Sequence, residues 1–438
     1  MKKKSSLIRR ISKLWFLPFM AVLLLWSCGG NDEPEVILYN PDIPVKVNSF
    51  VPDSGGVGTQ LVIIGENYGQ DPSIVSVIVN DRKATVIGVN DTRIYAVVPA
   101  RAGTGTVTVI LNGTDTVVSE KIFNYKLTQS VSTVCGSTDD TGHGSMEDGR
   151  LDEATFLYPY YLAIDDENNL FVVQRQGIAT ESTGDQTQAI RLVALSDDQV
   201  TTKYTTSGNN FLRAVEFSKT QDTLFCVNDT WDSNGLGLFT LTREQGWYDS
   251  KDLHNSMTVN GIAINPVDNS FIYSYFQKSI IRYYDVATDT RRDLTTFGED
   301  YVLYMCFSPD GKYVYMAVSD GFQADRGKLY RGEWNFETKT IDNSELISID
   351  YLNYPEQIAC DDQGYLYICD SGNHTIEMWN PKTRTFTTFA GVRGESGYLD
   401  GLPLKSKFNS PTGICIGADG AMYIADNGNH RIRKIVIQ

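Results

Sequence analysis

From Lys46 to about Tyr125, apolar and polar positions alternate in short runs broken by turn residues. Leu61-Val62-Ile63-Ile64, Ile74 to Val79, Ile94 to Val98 and Thr106 to Ile110 are β-branched stretches of strand length. Gly55-Gly56, Asn80-Asp81, Asn90-Asp91 and Asn112-Gly113 separate them. Each supplies the backbone freedom or local side-chain hydrogen bond that a tight turn needs. Roughly seven short strands in about 80 residues predict an immunoglobulin-like sandwich.

Beyond residue 127 the pattern repeats on a longer scale. An apolar start, a turn and an aromatic strand recur, with starts at 159, 212, 259, 303, 355 and 411. The aromatic strands include Leu170-Phe171-Val172-Val173, Leu224-Phe225-Cys226-Val227, Phe271-Ile272-Tyr273-Ser274 and Tyr313-Val314-Tyr315-Met316. Spacings of 53, 47, 44, 52 and 56 residues suit four-stranded propeller blades. The chain stops at Gln438, three strands into the sixth repeat. Val131 to Gly136 matches Phe386 to Gly391, so residues 130–135 are expected to supply the missing outer strand. That closure would leave no open edge between the ends of the ring. Asp148-Gly149 with Phe156 and Asp400-Gly401 with Phe408 share one spacing and lead into blades one and six.

Two segments resemble known families. Val47-Asn48-Ser49-Phe50-Val51-Pro52, Ser54-Gly55-Gly56, Leu61 to Tyr68 and Val97-Val98-Pro99 together resemble the IPT/TIG family. Phe408 to Ile414, Asp419 to Asp426 and Gly428 to Lys434 closely resemble an NHL repeat. The unit from Tyr354 to Ile376 follows it, with Gln357 in place of Gly and Thr375 in place of Arg. The resemblance implies an all-β chain: an IPT/TIG sandwich at 46–126 and a six-bladed NHL-type β-propeller at 127–438. In NHL-like blades Asp370 and Asp426, with Asn373-His374 and Asn429-His430, resemble a structural turn network.

The N-terminus reads as an address. Six basic residues lie in 2–13, and Leu14 to Trp26 is almost wholly apolar. This is a signal peptide over 1–27, too short for a confident membrane span. Leu25-Trp26-Ser27-Cys28 resembles a bacterial lipobox, which implies acylation of Cys28 and a lipidated tether over 28–45. Acidic residues just after Cys28 resemble a surface-export signal of lipoproteins in glycan-foraging gut anaerobes. The expectation is an outer-membrane, surface-exposed protein that touches the membrane through its lipid anchor alone.

Charge then narrows the partners. The precursor carries 38 basic and 54 acidic residues, a net of −16. Cleavage leaves 32 against 54, a net of −22. So acidic a chain argues against nucleic acid. The remaining six cysteines sit in apolar strand-like runs and form no CxxC pair. They are expected to be buried free side chains, with Cys360 and Cys369 the one pair worth testing.

Aligning the starts of the inner strands gives the column Tyr160, Arg213, Asn260, Tyr304, Glu356 and Thr412. Arg175, Asp229 and Tyr275 follow second strands, and Trp231 lies in a polar loop. Aromatic faces with polar neighbours suit a glycan, whose ring faces stack and whose hydroxyls take hydrogen bonds. A channel lining whose polar groups satisfy one another is the equally weighted alternative. Trp334 is a further candidate, whereas Trp247 and Trp379 fit strand cores. The first functional expectation is a carbohydrate-binding lipoprotein, with outer-membrane transporter components as partners and no cofactor. The second is a metal-dependent propeller hydrolase, lactonase or lyase. A Ca2+-like ion could then meet Glu356, Asn260 and Asn228 or Asp229. The third is a protein-interaction scaffold.

Overall fold

The computed structural model describes residues 37–99, 102–127, 129–175, 187–206, 210–230, 237–254, 259–275, 280–298, 300–320 and 323–437. Cys28 and Trp231 lie outside them.

The first domain is a sandwich of eight strands, one of them only Ser54–Gly55. Gln60–Glu66, Val75–Val79 and Gly105–Leu111 each bury every second residue. That period of two turns one face of each strand inward. Phe50, Leu61, Ile63, Val77, Ile94, Val107, Val109 and Phe123 make its core.

The second domain is a ring of six four-stranded antiparallel sheets. Blades one to five each use consecutive strands. Blade six takes Pro411–Ile416, Met422–Asp426 and Arg431–Ile437, then borrows Gln129–Cys135 from before blade one. The register runs antiparallel from Ile432 opposite Cys135 to Ile437 opposite Gln129. The expected closure is therefore present.

Blade packing explains the hydrophobic pattern. Leu170–Gln174 and Val259–Ile264 are buried at every position, because neighbouring blades cover both faces. The outer strand Thr290–Thr296 has no buried position. The first two strands of a blade thus read as near-continuous apolar runs and outer strands do not. Asp165 and Asp361 cap the turns after the inner strands of blades one and five. Each accepts two backbone N–H bonds, from Glu167 and Asn169 and from Gln363 and Tyr365.

All six described cysteines are free thiols, Cys360 and Cys369 included. Burial and the neighbouring Cys360 thiol raise the Cys306 thiol of the preceding blade well above its usual range. Burial pushes the Cys135 thiol up to about 12. Among the described residues no helix is long and apolar enough to cross a membrane.

The repeated motifs turn out to be clamps. Arg433 is fully buried and bonds Asp426, Asp400 and the carbonyls of Lys407 and Leu399. Its guanidinium lies 5.0 Å from the centroid of Phe408. Arg191 repeats this in blade one with Asp148, Gln174 and Phe156. In blade five Glu377 occupies the matching register position, and Arg393 reaches in to Glu377 and Asp370. Asp370 and Asp426 also accept the N–H of Asn353 and Asn409 at 2.6 and 2.8 Å. The His374 and His430 rings accept the N–H of Ser410 and Tyr158, so each ties its blade to the next.

Candidate functional site

Each inner strand begins with a register shift, and that shift sets the column at the channel mouth. Pro159, Pro355 and Pro411 pair with Gln174, Asp370 and Asp426, and the ladder then slips. The residues before these prolines, Tyr158, Tyr354 and Ser410, take φ of 49°, 54° and 50°. Left-handed backbone at a non-glycine residue persists where neighbours hold it, here through His430 and His374 for Tyr158 and Ser410.

The slipped position is Tyr160, Arg213, Asn260, Glu356 and Thr412 in five blades, as the sequence alignment has it. Blade four differs. Its slip falls between Val302 and Tyr304, so Leu303 holds the column position. Tyr304 is one residue further on, level with Tyr161, Gly261, Gln357 and Gly413. A side chain at Gly413 would strike the Tyr160 carbonyl, and one at Gly261 the Leu303 carbonyl, which confirms the offset. The aromatic at 304 misled the alignment because Leu303 carries no polar signature.

The corrected position does not remove Tyr304 from the cluster. Its ring stacks on Tyr161 at 5.8 Å, and its hydroxyl bonds both Tyr160 and Glu356. Tyr160 Oη also bonds Glu356 Oε2 at 2.9 Å. Blades one and four are opposite each other, so these three side chains cross the channel. A triangle of three oxygens has three edges. The phenols supply two protons, and a proton on Glu356 would fill the third edge. Burial raises the Glu356 carboxyl above its usual range, against the phenols, Arg175 and Arg213. Burial and the Glu356 charge raise the Tyr304 phenol well above its own.

Around this plug sit the other predicted residues. The Arg175 guanidinium lies 4.1 Å above the Tyr160 ring. Arg213 donates to Asp229 Oδ2 at 2.7 Å. Tyr160, Arg175, Tyr304 and Glu356 thus form one contact group, and the Arg213–Asp229 pair acts on it through the Arg213 charge. Thr412 instead donates to the Tyr160 carbonyl at 2.9 Å and joins blade six to blade one. Tyr275 is half-buried, with Arg282 4.9 Å from its centroid. Trp247, Trp334 and Trp379 are all buried, which removes Trp334 as an exposed candidate. Sequence reasoning missed Tyr161 and Gln357. Gln357 bonds the backbones of Leu162 and Ile414 and so holds blades five, one and six together. Its replacement of a repeat glycine was the available signal.

At this mouth Arg213 Nε, Asp229 Oδ1 and Asn260 Nδ2 are buried without a hydrogen-bond partner among the described residues. Each such atom costs about 1–3 kcal/mol unless water or a ligand meets it. The opposite mouth faces the IPT/TIG domain, which Arg82 anchors to Asp362 at 2.8 Å. Among the described residues no group of three or more His, Cys, Asp or Glu is arranged to hold a metal. Glu356 is bonded to the two phenols, and Asp229 to Arg213.

Comparison with known proteins agrees with this architecture. Residues 44–125 match the IPT/TIG domain family, and residues 408–435 match the NHL repeat. The chain is thus an IPT/TIG domain joined to a six-bladed propeller of NHL type. A crystal structure of an auxiliary nutrient binding protein from Bacteroides thetaiotaomicron is 25% identical. It covers 91% of this chain and 99% of that one, with a TM-score of 0.62. A second protein from that organism, of unknown function, shares the fold at 21% identity and a TM-score of 0.75, covering 92% and 100% of the two chains. NHL repeat-containing protein 2 of Bos taurus is 37% identical over 89 residues, which is 20% of this chain. The match spans only 12% of that relative's length.

Proposed function

We propose that this protein is a lipid-anchored, surface-exposed binding protein that captures a carbohydrate nutrient at the propeller mouth away from the IPT/TIG domain. The carrying observation is the mouth itself: Tyr160, Arg175, Arg213, Asp229 and Asn260 surround buried polar atoms whose hydrogen bonds are unmet. Sugar hydroxyls both donate and accept, so one ligand type can answer Arg213 Nε, Asn260 Nδ2 and Asp229 Oδ1. The nutrient-binding name of the 25%-identical protein, matched across nearly all of both chains, supports the reading. The anchor is Cys28, and the outer membrane is the location. Capture there would feed transporter components of the same membrane.

The test is affinity-gel or glycan-array binding of residues 29–438. Arg213→Ala is expected to weaken glycan binding at least tenfold, because it removes one unmet donor and unpairs Asp229. Tyr160→Ala should weaken it comparably by opening the plug under the site. Retention of full affinity by both variants would move the ligand elsewhere. No glycan binding, together with a tightly held channel metal, would favour the hydrolase or lyase reading.

A further inference from the structure

A cavity lies at the other mouth, where the inner strands end and the IPT/TIG domain begins. It has a volume of about 740 Å³, within the range of ligand-binding sites. All six blades line it with apolar side chains: Ile164, Phe217, Ile264, Phe307, Ile358 and Ile416. Arg82, Lys83 and Pro99 line it from the IPT/TIG side. Glu216 of blade two also lines it, and its carboxyl has no hydrogen bond or ion pair with any described residue.

The other charged groups there are engaged elsewhere or exposed. Asp361 accepts two backbone N–H bonds and the Tyr367 hydroxyl, Asp362 pairs with Arg82, and Asp419 accepts the Ala421 N–H. Lys83 is exposed. The titratable groups that feel Glu216 are Tyr161 of blade one, Cys306 of blade four and Cys415 of blade six. Burial raises all three, so they stay neutral through the physiological range. No described cation forms an ion pair with Glu216, and burial pushes its carboxyl up to about 8.

We propose that this cavity is a second binding site, for a small organic cation with an apolar body, and that Glu216 is its counter-ion. An unpaired carboxyl inside a ring of six apolar side chains matches an ammonium head on an alkyl body. A metal ion would find one unpaired carboxylate, since Asp361, Asp362 and Asp419 are engaged, where it needs several oxygen ligands. The ion pair would form in a low-dielectric pocket, where attraction exceeds that in water. Binding is a proton exchange. The protonated carboxyl gives its proton to solvent, and the carboxylate then pairs with the ammonium. Affinity is therefore low when Glu216 is protonated and rises as pH climbs toward 8.

The test is calorimetric titration of residues 29–438 with hexylammonium and with hexanol. Hexylammonium is expected to bind with release of close to one proton at pH 7. Its affinity should rise about tenfold per pH unit from 6 to 7 and level off above 8. Glu216→Gln, checked for an unchanged unfolding midpoint, should lower that affinity at least tenfold and abolish both the proton release and the pH dependence. Glycan binding at the far mouth should be unaffected, so the two sites fail separately. No binding of hexylammonium would overturn the proposal, and so would equal binding of hexanol or unaltered binding by Glu216→Gln.

Discussion

Replacing Arg433 with Met will cost about 3–5 kcal/mol of folding free energy, the usual loss when one member of a buried ion pair is removed. Both Arg433 and Asp426 are fully buried and lie 2.6 Å apart. Met keeps the apolar stem and much of the volume, so the loss reports the charge and its hydrogen bonds. Asp426 is left in a low-dielectric site with Asn429 and the Asn409 N–H as partners. Burial already raises its carboxyl to about 6, even with Arg433 pulling the other way. Without Arg433 it rises further. A carboxyl raised in the folded state binds more protons there than when unfolded, so stability is gained as pH falls. The penalty of the variant should accordingly be largest above pH 7 and shrink toward pH 5.

Arg191 provides the internal comparison. Its carboxylate partner Asp148 keeps a side-chain exposure of 44%, and its other side-chain partner is the neutral Gln174. Removing Arg191 strands no buried charge, and about 1–3 kcal/mol is expected for the unmet hydrogen bonds. Chemical denaturation of both Met variants at fixed pH decides the matter. A loss below about 1 kcal/mol for Arg433→Met, or a larger loss for Arg191→Met, would contradict the clamp.

The second large effect concerns closure. A chain beginning at residue 126 should fold as a closed propeller, whereas one beginning at Gly136 should not. The shorter chain lacks Gln129–Cys135, the outer strand of blade six. It loses the antiparallel ladder with Ile432–Ile437 and the paired bonds between Val131 and Gly401. It also loses the bonds that the Thr133 N–H and hydroxyl donate to Asp400, the carboxylate that holds Arg433. Burial of Val131 alone accounts for about 1.5–3 kcal/mol. The ladder adds about 1 kcal/mol net per hydrogen bond. Together these approach the whole stability of an ordinary domain, about 5–15 kcal/mol. The strand Arg431–Ile437 would also become an open edge, a template for aggregation. Limited proteolysis and the cooperativity of thermal unfolding would report the difference. A peptide covering residues 126–136 should rescue the shorter chain in trans. Equal cooperativity of the two truncations would show that closure is not what holds the ring.

Much of this fold was legible in the chain. Alternation at Leu61 to Ile64 and Thr106 to Ile110 reflects a sandwich whose strands bury one face. Continuous apolar runs such as Leu170 to Val173 reflect blades covered on both sides. These are local consequences of burial, and periodicity carries them. The incomplete sixth repeat even disclosed the closing strand, because a ring needs every blade filled.

The site was less legible, for identifiable reasons. The column rested on repeat register, and one bulged residue in blade four moved Tyr304 out of it and Leu303 in. Nothing in the local sequence marks which side of a bulge a residue falls on. That the Tyr160 and Tyr304 hydroxyls meet on Glu356 depends on blades one and four facing across the ring. Those residues are separated by 144 and 52 positions, and only closure brings them together. The cavity around Glu216 was invisible for the same reason. A lone glutamate in an apolar strand gains meaning when six blades and a second domain wall it in.

By itself, then, the sequence determined what short-range physics decides: an all-β chain, two domains, six blades and the closing strand. Only the tertiary structure decided which polar groups converge, which remain unpaired, and which end of the channel the first domain covers. Burial periodicity is written locally along the chain, whereas the partners of a buried charge are set by residues that meet only after the ring has closed.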